Sequence, residues 1–443
     1  MVKPFSFFLV TDTHYFDSSF GRSGKAYENR SKTDQKCVAE TPSIIDSGFK
    51  QIAEDNDTDV ILIPGDLVYR GEYQSHIGFR ERLYKLKEQG KKIYLITARH
   101  DYCEDGEPVE FRGDNIIPVK GMPREELRDF YKDFGFDDAI SEHKESMSYV
   151  AQLTDGIRLL SLNCDGDCKG FKGLWDDQMQ WALDEIKKAH ESGNYIFAMT
   201  HYPLLPFSPV MNLIGDAKLT DWEKRANEFA DAGLDLIFTG HMHAQAITDY
   251  TTEKGNTITD IQTGCFVGCP CAYRKITFEG GKVRINSYTI EDFDYDKQGK
   301  TAEEYFRWRF DRMINLKMDE ILPTPAKKIL DAFTLKKLGR LLFFKVDKSI
   351  ENILAKDVGI ELVRNVFVGN EPYVKGTPIY DTMAKLLKRL HPIVHIIEKK
   401  MGKKNPVLSD IDSFVLSMIG DEKQRDYEAV ININYNNFKE GKI

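Results

Sequence analysis

Short runs of β-branched and aromatic residues alternate with helix-like segments through the first three hundred residues of the chain. Two of the helix-like segments end at Gly90 and Gly193, in the position of a helix C-cap. Strand–helix alternation early in this region and hairpin-like strands late in it predict an α/β domain with a mixed sheet. The strand candidates are FSFFLV, DVILIP, KIYLIT, MSYVAQL, IRLLSLN, NYIFAMT, LDLIFTG, TITDIQTG and RKITFEGGKVRINSYTI.

The pattern changes after about residue 299, where apolar residues recur at helical spacing with Lys and Arg between them. We therefore expect an α/β domain over residues 1–298 and a mostly helical C-terminal accessory domain over residues 299–443. The run YEAVININYNNF near the end indicates a final strand. The basic helices could contact an anionic membrane surface, but we favour packing of their apolar face against a neighbouring domain.

The composition is that of a soluble globular protein, with 41% hydrophobic and 30% charged residues among 443. The apolar run FSFFLV continues into acidic and histidine residues without a small-residue cleavage site, so we expect a first strand and a cytoplasmic protein. Residues 1–299 hold 35 Lys and Arg against 50 Asp and Glu. An acidic domain is a poor partner for a phosphate backbone, which argues against nucleic-acid binding.

The chain has seven cysteines. An odd number without an export signal argues against a disulfide framework. The cluster CFVGCPC is a candidate zinc site, but zinc usually draws on two separated ligand pairs, so we favour small buried thiols there.

Four strand candidates end in side chains of the kind that bind metal ions. Because side chains alternate along an extended segment, Asp12 and His14 are expected on one face, and so are His241 and His243. Carboxylates together with neutral imidazoles suit Mn, Fe or Zn. Four such strand ends, each followed by a loop, predict a shared metal site. The candidate ligands are Asp12, His14, Asp66, His201, His241 and His243.

Together these residues resemble the signature of the calcineurin-like metallophosphoesterases: D-x-H, G-D, an element like G-N-H-D, then H and G-H-x-H. The resemblance covers nearly all of residues 5–290. It implies a four-layer αββα sandwich of two mixed β-sheets flanked by helices, with a metal centre at one edge and a small phosphate ester as substrate. The matching positions are Asp12-Thr13-His14, Gly65-Asp66, Arg99-His100-Asp101, His201 and Gly240-His241-Met242-His243.

The resemblance also implies a mechanism, the hydrolysis of a phosphomonoester or phosphodiester. A hydroxide held between two divalent ions would attack phosphorus. His100 would protonate the leaving alkoxide as general acid, and Asp101 would hold the His100 ring in orientation. One ion would bind Asp12, His14 and His243, the other would bind His201 and His241, and Asp66 would bridge them.

Arg99 departs from the family pattern, which has Asn at this position, and Arg has no acceptor atom to offer a metal. One interpretation is that Arg99 turns away and water fills the coordination position, which leaves a weaker second metal. In another, its guanidinium binds the substrate phosphate and one metal suffices. In a third, the chain is a degenerate binding module with weak or no turnover. We favour the first two because every other ligand is present.

Three further features are candidates for the surroundings of this site. The polar segment from Asp17 to Ser47 is rich in turn formers and predicts a long loop that selects the substrate. Arg274 is a weak candidate for a phosphate contact. For His76, at a helix start, packing or exposure is the simpler interpretation.

Overall fold

The computed structural model describes residues 4–102, 108–165, 173–208, 211, 215–321, 324–401, 419–421 and 423–433. The strands are β1 Phe5–Leu9, β2 Arg22–Ser23, β3 Val60–Pro64, β4 Lys92–Ile96, β5 Val109–Arg112, β6 Asn115–Pro118, β7 Ala139–His143, β8 Ser148–Thr154, β9 Ile157–Leu162, β10 Tyr195–Thr200, β11 Leu236–Thr239, β12 Ala246–Thr251, β13 Thr257–Gln262, β14 Ala272–Glu279, β15 Lys282–Thr289 and β16 Glu428–Asn432. The helices are α1 Lys25–Thr33, α2 Thr41–Glu54, α3 Tyr73–Glu88, α4 Arg124–Phe130, α5 Asp176–Glu191, α6 Trp222–Asp231, α7 Ala302–Ile321, α8 Thr324–Ala332, α9 Leu335–Leu341, α10 Ala355–Val368 and α11 Pro378–Met401.

Two large mixed sheets form the framework. The first has the order β16-β15-β14-β1-β3-β4, and the second has the order β12-β13-β11-β10-β9-β8-β7. In the first sheet β1, β3 and β4 are parallel, while β14 runs antiparallel to β1. In the second sheet β10 is parallel to both β9 and β11. The carboxyl ends of parallel neighbours lie at the same edge of a sheet, which is where α/β proteins place ligand sites.

The two sheets pack face to face through aromatic side chains. The Phe7 ring of β1 stacks on Phe197 of β10 with centroids 5.3 Å apart, and it meets Phe238 of β11 edge-on at 5.2 Å. Buried residues of α2 and α3 pack on the first sheet, and buried residues of α5 and α6 pack on the second. Burial of these apolar faces gives helices outside and sheets inside. The predicted four-layer sandwich of two mixed sheets is confirmed.

The C-terminal region is mostly helical, with α7 to α11, and both α7 and β16 contact the sandwich. Tyr305 and Phe306 of α7 are buried in the same apolar cluster as the sheets. The final predicted strand exists as β16, which pairs antiparallel with β15 and so belongs to the first sheet. The boundary at residue 299 stays a prediction. Among the described residues, none of the helices combines the length and apolar character that crossing a bilayer requires.

Candidate metal centre

The candidate ligands lie just beyond the strands, in turns of unusual backbone geometry. The φ angle is 53° at Asp12, 37° at His14, 53° at Asp66, 70° at His241 and 57° at His243. Positive φ is uncommon for residues other than glycine, and such strain tends to gather at functional sites. Asp12 and His14 do lie close together, but the expectation that alternation along a strand would bring them together is wrong. β1 ends at Leu9, and left-handed turns direct these side chains instead.

The turns bring the ligand atoms of both sheets within a few ångströms of one another. Asp66 Oδ2 lies 3.2 Å from His201 Nε2 and 3.6 Å from His14 Nε2. Asp12 Oδ1 lies 3.4 Å from His243 Nε2 and 3.8 Å from His14 Nε2. The Nε2 atoms of His14 and His243 are 3.1 Å apart. These separations suit side chains that share cations at one place.

The centre has two halves that meet at Asp66. Potential ligand atoms of Asp66, His201 and His241 all lie within 4.8 Å of one another, and so do those of Asp12, His14 and Asp66. All six candidate ligands are thus brought together in the structure. Their assignment to particular ions remains a prediction.

Hydrogen bonds to the backbone hold two of the rings with one nitrogen left for the centre. His201 Nδ1 donates to the Pro64 carbonyl at 2.9 Å, which leaves Nε2 as the atom facing Asp66. His241 Nε2 donates to the Asp216 carbonyl at 2.6 Å, which leaves Nδ1 as the available atom. Metal-binding histidines commonly have their other ring nitrogen fixed in this way. The donor set therefore fits one or two divalent ions.

The carboxylates and imidazoles of the site shift one another's pKa values. Burial by itself raises the pKa of Asp66, but the facing imidazoles of His201 and His100 lower it well below its usual value. Burial by itself lowers the pKa of His201, but the Asp66 carboxylate raises it to about 10. Burial lowers the pKa of His241 to about 4, which leaves its ring neutral near pH 7. Ionised carboxylates and neutral rings are the forms that bind metal ions, so a bound ion would displace the proton that His201 holds against Asp66.

His100 lies beside the centre. Its backbone N–H donates to Asp66 Oδ1 at 3.1 Å, and its ring meets the His14 ring edge-on with centroids 5.0 Å apart. Burial lowers the pKa of His100 to about 3. A bound phosphate dianion would raise that pKa, because a negative charge nearby favours the imidazolium form.

Asp101 has a different set of contacts from the one predicted. Its Oδ1 accepts from the backbone N–H groups of Leu67 at 2.6 Å and Val68 at 3.1 Å, and its Oδ2 accepts from Ala98 N–H at 2.8 Å. The expected hydrogen bond from Asp101 to the His100 ring is thus replaced by three bonds to backbone. Asp101 joins the turn at His100 to the loop that follows Asp66.

Arg99 points out of the ligand cluster. Its side chain is 62% exposed, and Nη1 lies 3.8 Å from Asp216 Oδ2. The backbone carbonyl of Asp216 is the acceptor for His241, so the guanidinium lies near the second half of the centre without entering it. An exposed ion pair of this length contributes little stability.

Two residues that sequence reasoning did not assign to the site lie against its ligands. Gln35 Oε1 accepts a hydrogen bond from His243 Nδ1 at 2.8 Å. Cys265 Sγ donates to the Asp12 carbonyl at 3.1 Å and lies within 4.8 Å of potential ligand atoms of His14 and His243. Glutamine and cysteine at these positions carry no sequence signal for such contacts, because their partners are distant in the chain.

Two other candidates are buried side chains, one as expected and one not. His76 is fully buried, with Nε2 donating to the Asp101 carbonyl and Nδ1 bonded to the Tyr131 hydroxyl, both at 2.7 Å. His76 is therefore a buried packing residue that supports the His100 turn. Arg274 is also fully buried and donates to Thr263 Oγ1, Ser287 Oγ and the Gln262 carbonyl, so it is not exposed to a phosphate.

The segment from Asp17 to Ser47 is not the long loop that was expected. It contains α1 and the first residues of α2, and it passes beside the metal centre at Gln35. Its proposed part in substrate selection remains a prediction.

Comparison with known proteins gives a family match over more than half of the chain. A family model described as calcineurin-like phosphoesterase matches residues 5–245, which include all six candidate ligands. No curated protein sequence matches the chain. Similar solved structures include a dimetal phosphatase from Danio rerio, which is 11% identical, covers 65% of this chain and 96% of its own, and has a TM-score of 0.47.

Two further similar structures have lower TM-scores. A purple acid phosphatase from yellow lupin is 12% identical, covers 66% of this chain and 52% of its own, and has a TM-score of 0.38. An NAD nucleotidase from Haemophilus influenzae is 11% identical, covers 75% of this chain and 61% of its own, and has a TM-score of 0.34. At these scores the assignment depends on the family model and not on the solved structures. The chain belongs to the calcineurin-like phosphoesterase family and is a metal-dependent phosphoesterase.

Proposed function

We propose that the protein hydrolyses a small phosphomonoester or phosphodiester at one or two divalent ions, Mn, Fe or Zn. Asp12, His14 and His243 would hold one ion, His201 and His241 the other, and Asp66 both. The observation that carries this proposal is the convergence of carboxylate and imidazole atoms from both sheets within 4.8 Å. Bound ions would lower the pKa of water to give a nucleophile at neutral pH and would offset charge on the phosphoryl oxygens.

The residues of the chain would orient the substrate and move the proton. His100, beside His14, is placed to donate a proton to the leaving alkoxide once the substrate's negative charge has raised its pKa. Asp101 holds the backbone of that turn through three hydrogen bonds, which would fix the position of His100 without touching its ring. Arg99, exposed at the rim, is available to bind a phosphate oxygen with its guanidinium.

A second candidate function is a binding module of the same fold with weak or no turnover. It is favoured by one observation, the presence of Arg99 where the family pattern has an amide oxygen for the second metal. The two functions differ in rate and not in ligand chemistry.

Turnover with defined metals separates the two functions. Protein stripped by a chelator would be reloaded with Mn²⁺, Fe²⁺ or Zn²⁺ and assayed with p-nitrophenyl phosphate and with bis(p-nitrophenyl) phosphate. An enzyme gives a rate that depends on the metal and falls by at least about 10²-fold in His201→Ala, because a ligand is lost. Equal rates for all metals and for His201→Ala would favour the binding module. The ratio of the two substrates distinguishes a monoesterase from a diesterase.

A further inference from the structure

One ligand of the metal centre is held by a side chain from the segment Asp17 to Ser47. Gln35 Oε1 accepts from His243 Nδ1 at 2.8 Å, although the two residues are 208 positions apart in the chain. A neutral imidazole has one N–H, so donation at Nδ1 leaves the lone pair on Nε2. That Nε2 faces the centre, 3.1 Å from His14 Nε2 and 3.4 Å from Asp12 Oδ1. We infer that Gln35 is a positioning residue that keeps His243 in the form able to bind metal.

The residues on either side of Gln35 are fixed to the sandwich. Cys37 N–H donates to the Val267 carbonyl at 2.9 Å, on the loop that follows β13. On the other side, the Tyr69 hydroxyl donates to Asp34 Oδ2 at 2.8 Å. Tyr69 itself follows Asp66 by three positions, so the same loop carries both a ligand and an anchor for the segment. With Asp34 and Cys37 held, Gln35 is presented to His243 in a defined position.

The accessory region supports the same segment from outside. Arg309 of α7 has Nη1 3.6 Å from the buried Glu40 carboxylate and Nη2 3.5 Å from the Lys36 carbonyl. The Tyr305 hydroxyl, one turn earlier on α7, donates to Glu40 at 2.6 Å. The helical region therefore stabilises the segment that carries Gln35.

The two ends of the Gln35 amide have opposite hydrogen-bonding properties, because Oε1 accepts a hydrogen bond and Nε2 donates one. Its Nε2 is buried and has no partner among the described residues, while Oε1 is bonded to His243. If the amide were reversed, its N–H group would face Nδ1 and force the proton of His243 onto Nε2. A metal needs the Nε2 lone pair, so metal binding and the acceptor at position 35 are linked. A hydrogen-bond acceptor at position 35 therefore favours the binding of a cation by His243.

Substitutions at Gln35 that differ in hydrogen-bonding character test this link. Glu at position 35 only accepts, Lys only donates, and Met fills a similar volume with no strong partner. We expect Gln35→Met and Gln35→Lys to weaken binding of the ion that His243 would hold by about 10- to 100-fold, as losses of such supporting bonds do. We expect Gln35→Glu to bind within about threefold of the unmodified protein or more tightly, because it preserves the acceptor. Asn29→Leu, an exposed change on α1 of the same segment, is the matched control and should leave the affinity unchanged.

The measurement is calorimetric titration of the chelator-stripped full chain with Mn²⁺, and it needs no substrate. The inference is overturned if Gln35→Met binds Mn²⁺ as tightly as the unmodified protein. It is also overturned if Gln35→Glu loses as much affinity as Gln35→Met, since that would show a packing role. Should Gln35→Met fail to fold, the comparison of Gln35→Glu with Gln35→Lys decides the same point.

This inference depends on the proposed metal-dependent hydrolysis, but the two can fail separately. Absence of Mn²⁺, Fe²⁺ and Zn²⁺ binding by the unmodified protein would overturn the proposed function and this inference together. Metal binding and turnover by the unmodified protein, with unchanged affinity in Gln35→Met, would overturn only the role of Gln35.

Discussion

Replacement of Asp101 is expected to destabilise the fold, because this buried carboxylate satisfies three backbone N–H groups. In Asp101→Asn the remaining oxygen can still accept from Leu67 and Val68, but the new NH₂ group faces the Ala98 N–H. One buried donor is then left without an acceptor, which costs about 1–3 kcal/mol. In Asp101→Ala all three donors lose their partner, and we expect a loss of about 3–6 kcal/mol, reduced where water enters.

The assay is urea unfolding of the metal-free protein, followed by tryptophan fluorescence, with the slope of the transition checked for change. Asp138→Asn, at an exposed position, is the control and should stay within about 0.5 kcal/mol of the unmodified protein. The order of stability should be unmodified protein, Asp101→Asn, then Asp101→Ala.

The opposite pattern would refute this reasoning. If Asp101 served mainly to orient the His100 ring, Asp101→Asn would keep the stability of the unmodified protein and would lose kcat alone. An unchanged unfolding midpoint together with a large loss of kcat in Asp101→Asn would therefore show that Asp101 orients the His100 ring.

Three further predictions concern the second metal, the pH dependence of stability and the accessory region. Arg99→Asn supplies an amide oxygen for the second metal. If that metal is bound weakly in the unmodified protein, we expect elemental analysis to show the metal content rising towards two ions per chain. No rise would exclude the interpretation in which water fills the coordination position. In metal-free protein burial by itself lowers the pKa of His201, but the Asp66 carboxylate raises it from 6.5 to about 10. The stabilisation from this pair is therefore fully present below about pH 6.5 and is lost as pH rises through 10. Melting temperatures of chelated protein should fall over that range, and His201→Asn should flatten the fall; parallel curves would contradict the pairing. Tyr305→Phe removes the hydroxyl bonded to Glu40 and should lower the free energy of unfolding in urea by about 1–3 kcal/mol. An unchanged midpoint would show that α7 does not stabilise the segment from Asp17 to Ser47 through this bond.

The division between what the sequence predicted and what it did not follows the range over which each signal acts. Alternation of apolar residues and helical spacing are local patterns, and they predicted the mixed α/β fold, the helical C-terminal region and the last strand, β16. They did not predict that β16 would pair with β15, which lies more than a hundred residues earlier in the chain. That pairing depends on which strand of the folded sheet has an unpaired edge.

The amino-acid sequence by itself determined which side chains gather at the metal centre, since Asp12, His14, Asp66, His201, His241 and His243 follow strands whose ends share one edge. Only the tertiary structure decided how they gather, because the left-handed φ angles of these turns cannot be predicted from the residue types. It also decided the supporting contacts, such as Gln35 with His243 and Asp101 with three backbone N–H groups. A hydrogen bond between distant positions depends on the packing of the whole chain, and the local sequence around either partner does not encode it.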